Sequence, residues 1–281
     1  MTARMRYAYI CINYNNTRFT VDAVESLLAA TTPPTRIIVV DNASRPEERA
    51  ALQDLQRRRP IVETVLSDDN SGYFPGLNKG LDVLRASDNF EQWVVIGNND
   101  LIFPSDFGEK LATTVRHHAG DPVISPNVVT LDGVRQNPHV ISGLSRPREF
   151  MFDLYYSNYW LGQFIKWAAG ATSRLTDRDD EQQHDVAQYI YQGHGSVYIL
   201  GPKFFEEFGQ LDAPTFMMGE EFFLSEQLKR KGYRVWYEPR IEVQHCCNGA
   251  IRSVPSKQMW ERAKEAHRVY RRYVKPWKRQ G

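Results

Sequence analysis

The sequence predicts an α/β domain in which a mostly parallel central sheet is flanked by helices. Three observations predict it: short, continuous apolar runs rich in Val, Ile and Tyr; stretches of helical periodicity between them; and a polar residue wherever an apolar run stops. Continuous rather than alternating apolar strands are what a sheet covered on both faces requires. A chain of 281 residues, 42% of them hydrophobic, can bury such a sheet as one large domain or two small ones without covalent staples.

The elements follow in order. "YAYICINY" is a β-favouring run closed by polar residues, and "TRFTVDAVESLLAAT" has apolar residues at helical spacing and ends before Pro33-Pro34. "TRIIVVDNAS" repeats the strand and stops at Asp41-Asn42, and "RPEERAALQDLQRRR" reads as an exposed helix. A third strand, a glycine-rich loop and a helix come from "IVETVLSDDNSGYFPGLNKGLDVLRAS", and a fourth strand from "EQWVVIGNNDLIFP". Ligands of such sheets bind outside the carboxyl ends of the strands. Asn13, Asp41, Asn70 and Asp100 all fall there.

Beyond Asp121 the rhythm changes. "DPVISPNVVTLDG" reads as short strands and a turn, and residues 134–192 form an aromatic, then charged, insertion. It is either a helical hairpin with its aromatics in the core, or a lid or acceptor platform. Regular order returns with "YIYQGHGSVYILGPKFFEEFG", then a loop and amphipathic helix in "LDAPTFMMGEEFFLSEQLKRKG", then strands ending at His245. Residues 252–281 carry ten Lys/Arg against two Asp/Glu, interleaved with Trp260, Tyr270, Tyr273 and Trp277. This divides the chain into a domain over 1–250, with its insertion at 134–192, and a basic helical extension over 251–281. The extension is either a solvated helix or a contact for anionic lipid headgroups.

Charge and cysteine content exclude several classes. A formal net charge of +1 leaves no overall nucleic-acid footprint, and no reading motif is present. Cys11, Cys246 and Cys247 are an odd set with two adjacent members, which argues for a reducing compartment rather than a disulfide framework. His245 beside two cysteines does not make a zinc site, because strand neighbours point to opposite faces. No apolar run is long enough to span a bilayer, and the first residues are too polar for a signal peptide. The expectation is a cytoplasmic protein, located at the inner face of the membrane if its tail meets lipid.

Some residues carry two readings. Asn98-Asn99-Asp100 is either a turn bonding its own backbone or a ligand contact. Apolar residues follow at once, so a carboxylate there is costly unless a cation or strong donors meet it, and a divalent ion carrying a diphosphate would do so. Asp41 is either a helix cap or an acceptor for a nucleoside group. The loop with Gly72, Gly76 and Gly80 lacks the Gly-Lys-Ser/Thr of a Walker loop, the Rossmann spacing and the closing glutamate of a calcium loop. It suits a backbone-rich surface opening a helix, with Asn78 and Lys79 near an anion. Glu220 and Glu221 either complement a helix dipole or supply a general base. His245 is either a satisfied core residue or a ligand.

Six pieces in this order, "YICINYNN", "IIVVDNAS", "NSGYFPGLNKGL", "VIGNNDLIFP", "GSVYILGPKFFEEFGQLD" and "FMMGEEFFLSEQLKRKGYRVWYEPRIEVQH", resemble the inverting family 2 glycosyltransferases of GT-A fold. Within them the chain looks like the rhamnosyltransferase-like branch that builds bacterial surface polysaccharides. The resemblance implies a Rossmann-like GT-A sheet, a UDP- or dTDP-sugar donor, a glycan or lipid-linked acceptor, and Mg²⁺ or Mn²⁺ as cofactor. It implies that Asn13 and Asp41 border the nucleoside and that the loop with Asn70, Gly76, Asn78 and Lys79 closes on the nucleotide. Asn98, Asn99 and Asp100 stand in the place of the metal motif, with Asp100 holding the ion and His245 completing its site. Glu221 matches the catalytic base, with Glu220 the alternative. Two departures matter: Asn98 replaces an acid, and the base is Glu where the family has Asp. Two other readings are a sugar-nucleotide pyrophosphorylase, whose N-terminal phosphate loop is missing from "CINYNNTRF", and a catalytically silent nucleotide-sugar binder.

Overall fold

The computed structural model describes residues 5–87, 90–143, 145–176, 183–246 and 256–273. Cys247, Trp277, the 250/251 boundary and parts of the insertion and of the basic extension lie outside the described residues. The first four strands and three helices alternate: β1 (Ala8–Asn13), α1 (Thr17–Leu28), β2 (Arg36–Asn42), α2 (Pro46–Arg58), β3 (Val62–Ser67), α3 (Tyr73–Arg85) and β4 (Val94–Asn98). Next come β5 (Leu101–Ile102), α4 (Phe107–Val115), β6 (Val123–Thr130), α5 (Arg146–Ser157) and α6 (Tyr159–Thr176). The chain closes with β7 (Gln188–Ile190), β8 (Val197–Leu200), α7 (Pro202–Glu207), α8 (Glu220–Lys229), β9 (Val235–His245) and α9 (Ser256–Tyr273).

Among the described residues the strands form one nine-stranded sheet in the order β3-β2-β1-β4-β8-β6-β9-β5, with β7 also on β9. Strands β1 to β4 pair in parallel, as the continuous apolar runs require. The other half is mixed. β8 runs antiparallel to both β4 and β6 because it follows the insertion and enters the sheet beside the carboxyl end of β4, with Val197 opposite Gly97. The segment just before β8 is thereby delivered to the edge where the polar strand ends collect.

Helices cover both faces of the sheet. One core unites Val24 and Leu27 of α1, Leu52 and Leu55 of α2, and Phe107 and Leu111 of α4 with one face of the strands. The other sets Phe74, Leu77, Leu81 and Leu84 of α3, Phe204 of α7, and Leu224 and Leu228 of α8 against the opposite face. Helix α4 is not among the elements expected from the sequence; its nine residues give the apolar spacing little room to declare itself. β6 and β9 are single strands where several short ones were expected, paired in parallel with a shift of register between Pro126 and Asn127.

The insertion is a helical hairpin, and it divides its aromatics. Tyr156 stacks on His267 of α9 at 4.8 Å between ring centres, and Tyr159 meets Trp260 edge-on at 5.5 Å. Asp153 of α5 ties the two helices together through Arg271 at 2.6 Å and His267 at 2.8 Å. Trp160, Phe164 and Trp167 of α6 do not enter the core; they are 76%, 60% and 69% exposed. No helix among the described residues is long and apolar enough to cross a membrane.

The glycine-rich loop is fixed by its backbone. Gly72 sits at φ +95°, and a Cβ there would lie 1.8 Å from the carbonyl oxygen of Phe216, which accepts a hydrogen bond from the Tyr73 N–H at 2.9 Å. Both the dihedral and the close approach demand glycine. Gly72→Ala is expected to lower unfolding free energy by about 2–3 kcal/mol in urea titration, whereas Gly120→Ala, whose Cβ meets nothing within 4 Å, should cost under ~1 kcal/mol.

Candidate active site

The carboxyl ends of β1, β2 and β4 are in register: Asn13 lies opposite Asp41, and Ile12 opposite Asn98. Three of the polar residues gathered there face inward. Asn13 and Asp41 are fully buried, and Asn99 nearly so. Asn13 Nδ2 donates to Asp41 Oδ1 at 3.1 Å, and Asn13 Oδ1 accepts from Thr20 Oγ1 at 2.8 Å. Asp41 Oδ2 accepts from Arg49 Nε at 2.9 Å and from the Ser44 N–H at 3.1 Å. Asn99 Nδ2 donates to Asn16 Oδ1 and Thr20 Oγ1, each at 2.7 Å. Asn13 and Asp41 expose no surface in this structure, so at the expected nucleoside border they act through the loops they hold. The reason is energetic: polar groups at a buried strand edge must find partners, and these found one another. The network fixes the loops after β1, β2 and β4.

The glycine-rich loop divides in the same way. Asn70 Oδ1 accepts from the Gly72 N–H at 3.1 Å, an Asx turn that opens α3. Gly76 lets α3 approach the sheet, since a Cβ would lie 2.9 Å from Ile12 Cδ1 and 3.1 Å from Asn42 Nδ2. Asn78 clamps the backbone of Leu211, donating to its carbonyl and accepting from its N–H, both at 2.9 Å. With its amide so engaged Asn78 braces the two loops against each other. Lys79 Nζ reaches Ser67 Oγ at 3.1 Å and Asp69 at 3.3 Å, beside β3.

Asp100 and His245 are brought together by strand pairing. After β4 the chain turns at Asn99-Asp100 and crosses to the far side of the sheet, where Leu101 lies opposite His245 and the Cys246 N–H donates to the Asp100 carbonyl at 2.9 Å. Asp100 Oδ1 is then 3.3 Å from His245 Nε2. His245 Nδ1 lies 2.8 Å from Gln136 Oε1, and Asn98 Nδ2 lies 3.3 Å from Nε2. Gln136 Oε1 can only accept, so Nδ1 donates to it, and Nε2 is the ring nitrogen that faces the carboxylate, with a lone pair there in the neutral tautomer. Two facing lone-pair atoms, one hard oxygen and one imidazole nitrogen, fit a divalent cation. No group of three His, Cys, Asp or Glu that could hold a metal occurs among the described residues. Two protein donors suit Mg²⁺ or Mn²⁺ that takes its other ligands from phosphate and water.

His194, Tyr73 and Gln136 also belong to the site, and sequence reasoning missed them. The His194 ring is 5.7 Å from that of His245 and 6.1 Å from that of His139. Burial, with those two rings adding to it, pushes His194 down to about 3, so it is neutral at physiological pH. It lies on the segment before β8, which reaches both halves of the site. The Ser196 carbonyl accepts from the Asn98 N–H at 2.8 Å, and the Gly195 N–H donates to Glu221 Oε1 at 3.2 Å. A Cβ on Gly195 would come within 2.5 Å of that carboxylate oxygen. Tyr73 donates to the Gly195 carbonyl at 2.9 Å. Burial raises its hydroxyl well above the ordinary tyrosine range, and the charges of Glu220, Glu221 and Asp100 raise it further. One tyrosine therefore senses all three acids. The signal available in the sequence was "GHGS", a histidine between glycines just before a buried strand.

Glu220 and Glu221 open α8 after two left-handed residues, Met218 at φ 77° and Gly219 at φ 80°. Glu220 Oε1 accepts from the Met218 N–H at 2.8 Å. Burial, with the like charge of Glu221 next, lifts its carboxyl to about 7, although the residue keeps some contact with solvent.

A family model described as "Glycosyl transferase family 2" matches residues 9–166, more than half of the chain. The chain belongs to glycosyl transferase family 2. Solved structures of similar shape agree on the GT-A fold. One is GalNAc-T7 with UDP, GalNAc and Mn²⁺, at TM-score 0.60 and 13% identity, covering 88% of this chain and 44% of that one. Another is Staphylococcus aureus TarS 1–349 in complex with UDP-GlcNAc, at TM-score 0.59 and 12% identity, covering 96% and 66%. A third is the mannosyltransferase PcManGT from Pyrobaculum calidifontis in complex with GDP-Man and Mn²⁺, at TM-score 0.54 and 18% identity, covering 96% and 70%. This family 2 chain thus spans 44% of the first and 66% of the second of these structures. Comparison with curated proteins finds no match.

Two measurements test the site's internal electrostatics. Because Glu220 is raised in the folded state, from 4.5 to about 7, its contribution is fully present below about pH 4.5 and is lost as pH rises through about 7. Glu220→Gln should therefore gain on the wild type by about 1–2 kcal/mol in denaturant titrations between about pH 5 and pH 8, less than the full shift because of its solvent contact. Asp41→Asn should instead cost about 3 kcal/mol at neutral pH, since it strips the buried partner from Arg49.

Proposed function

We propose that this family 2 chain transfers a sugar from a nucleoside-diphosphate donor to an acceptor hydroxyl with inversion of configuration. The observation that carries the reading is the segment Gly193–Ser196, which bonds Asn98 at the Asp100–His245 corner and Glu221 at the opposite side. Asp100 and His245 would hold Mg²⁺ or Mn²⁺, which when bound neutralises charge developing on the diphosphate leaving group. Glu221 takes the proton of the attacking hydroxyl, its carboxylate aimed by the Gly195 N–H. Glu220 bonds its own loop and restrains the pair through its raised affinity for a proton. A single displacement needs no second nucleophilic carboxylate, unlike retaining glycoside hydrolysis.

The donor is a UDP- or dTDP-sugar. It sits over the carboxyl ends of β1, β2 and β4, with Asn13, Asp41 and Asn99 holding the floor and Asn70, Gly76 and Lys79 shaping the glycine-rich side. The acceptor is a glycan or lipid-linked glycan approaching from the 134–192 side, in a rhamnosyltransferase-like step of bacterial surface polysaccharide assembly. Residues 251–281 bring the enzyme to the cytoplasmic face of the membrane through their excess of Lys and Arg.

Thermal-shift titration with UDP-, dTDP- and GDP-sugars, with and without Mg²⁺ or Mn²⁺, should give metal-dependent stabilisation by UDP or dTDP donors and lose it in Asp100→Asn. No stabilisation by any of them would sink the donor site. Glu221→Gln should keep donor binding while slowing transfer, or donor hydrolysis, by about 10²–10⁴-fold. An unchanged rate would remove Glu221 as base. Binding without turnover in the wild type would favour a silent binder, the reading that Asn98 in place of an acid supports.

A further inference from the structure

We propose that the exposed aromatic ridge of α6 is a membrane-docking surface for anionic lipid, separate from the donor site and flanked by cations of α9. It extends the proposed membrane-side acceptor, and its test stands apart from that of donor binding. Trp160, Phe164 and Trp167 lie at positions i, i+4 and i+7 of one helix, so they share a face. They are 76%, 60% and 69% exposed, and the rings of Phe164 and Trp167 are 5.9 Å apart. Single exposed apolar residues on a surface need no explanation, but three exposed aromatics on one face of one helix do.

Three observations favour lipid as the occupant. Indole rings are amphipathic and favour the headgroup level of a bilayer, and two of the three residues are Trp. Helix α6 contains no Asp or Glu, and exposed Lys166 stands next to Trp167. The neighbouring helix α9 adds cations. Lys264 Nζ reaches the Ser157 carbonyl at the α5–α6 junction at 3.2 Å, and Arg268 is 64% exposed. Arg268 shares its charge with exposed Glu265 at 3.4 Å, so the acid-free part of the surface is α6 itself, where aromatics beside Lys166 complement an anionic surface. A second protein copy fits less well, because three such side chains, each of roughly 150–250 Å² and only partly exposed, fall short of the ~800 Å² per partner of a stable interface.

The ridge is also held rigidly. Gly162 permits the close approach of α6 to α9, since a Cβ there would lie 2.9 Å from Trp260 Nε1 and 2.7 Å from the Tyr155 carbonyl oxygen. The face between Trp160 and Trp167 is therefore presented by a helix seated on its neighbours, and no folding on the membrane is required.

The test uses the full chain with phosphatidylcholine vesicles, with and without one-third phosphatidylglycerol. Wild-type protein should co-sediment with the anionic vesicles and show a blue shift in tryptophan emission. The W160S/F164S/W167S variant should partition at least about tenfold more weakly, while retaining wild-type circular dichroism and metal-dependent donor binding. The single W167S change gives an intermediate loss and serves if the triple variant is misfolded. Full vesicle binding by the variants, or none by the wild type, overturns the proposal. Concentration-dependent self-association in sedimentation velocity that these substitutions abolish, with vesicle binding unchanged, would also overturn it and make the ridge an interface between copies. Loss of donor binding in Asp100→Asn with vesicle binding intact separates this surface from the donor-site reading.

Discussion

The site depends on one short pairing, that of β5 with the end of β9. Two residues of β5 carry the chain from the parallel half of the sheet to its far side, and Leu101 opposite His245 is what makes Asp100 and His245 neighbours. Backbone bonds do this work, and the Cys246 N–H to Asp100 carbonyl bond closes it. Because strand pairing has a period of two, a slip of one residue would turn His245 to the other face. The bulge between Pro126 and Asn127, where β6 shifts against β9, keeps the last third of β9 in the register that β5 requires. Precise chemistry at the corner is therefore inherited from sheet register, and side-chain contacts refine it.

A second layer of order comes from buried polar groups. Asn13, Asp41 and Asn99 stand at three strand ends and bond to each other and to Ser44, Thr20 and Asn16. The Arg49 guanidinium meets Asp41 and also reaches the Ser67 carbonyl at the end of β3. Four loops are thus tied at one edge by a network whose members cannot be removed singly without stranding a partner. A donor bound above that edge would meet a surface whose shape is already set, which limits the ordering cost of binding.

The parallel half of the fold was legible because its rules are local: continuous apolar strands, helical spacing between them, and a polar stop at each end. The direction of β8 was not, since it depends on where the insertion returns the chain to the sheet. The site was legible in position more than in orientation. Asp100 and His245 were readable as a pair only through their resemblance to a family, because 144 residues of intervening chain hide the pairing of β5 with β9. Asn13 and Asp41 stand where expected but point inward, and sequence alone cannot say which side of a strand end faces solvent. His194, Tyr73 and Gln136 act through partners from other elements, and no spacing in the sequence announces them. The aromatics of the insertion split between the interface with α9 and solvent, a division their loose periodicity could not settle.

The two glutamates at the start of α8 show how a single structural strain can divide labour between like groups. Met218 and Gly219 both take left-handed backbone, a conformation that costs free energy at a non-glycine residue. That turn aims the Met218 N–H at Glu220, while the following turn of helix aims Glu221 at the Gly195 N–H. Like charges placed this closely cannot both ionise cheaply, and burial adds its share on the Glu220 side, lifting that carboxyl to about 7. A proton held by Glu220 removes the like charge beside Glu221. The helix dipole at the start of α8 acts on both acids alike, because each stands in the first turn beside unpaired N–H groups. In the proposed reaction the carboxylate that takes the hydroxyl proton is the one the Gly195 N–H aims, and the raised Glu220 beside it sets less charge against it.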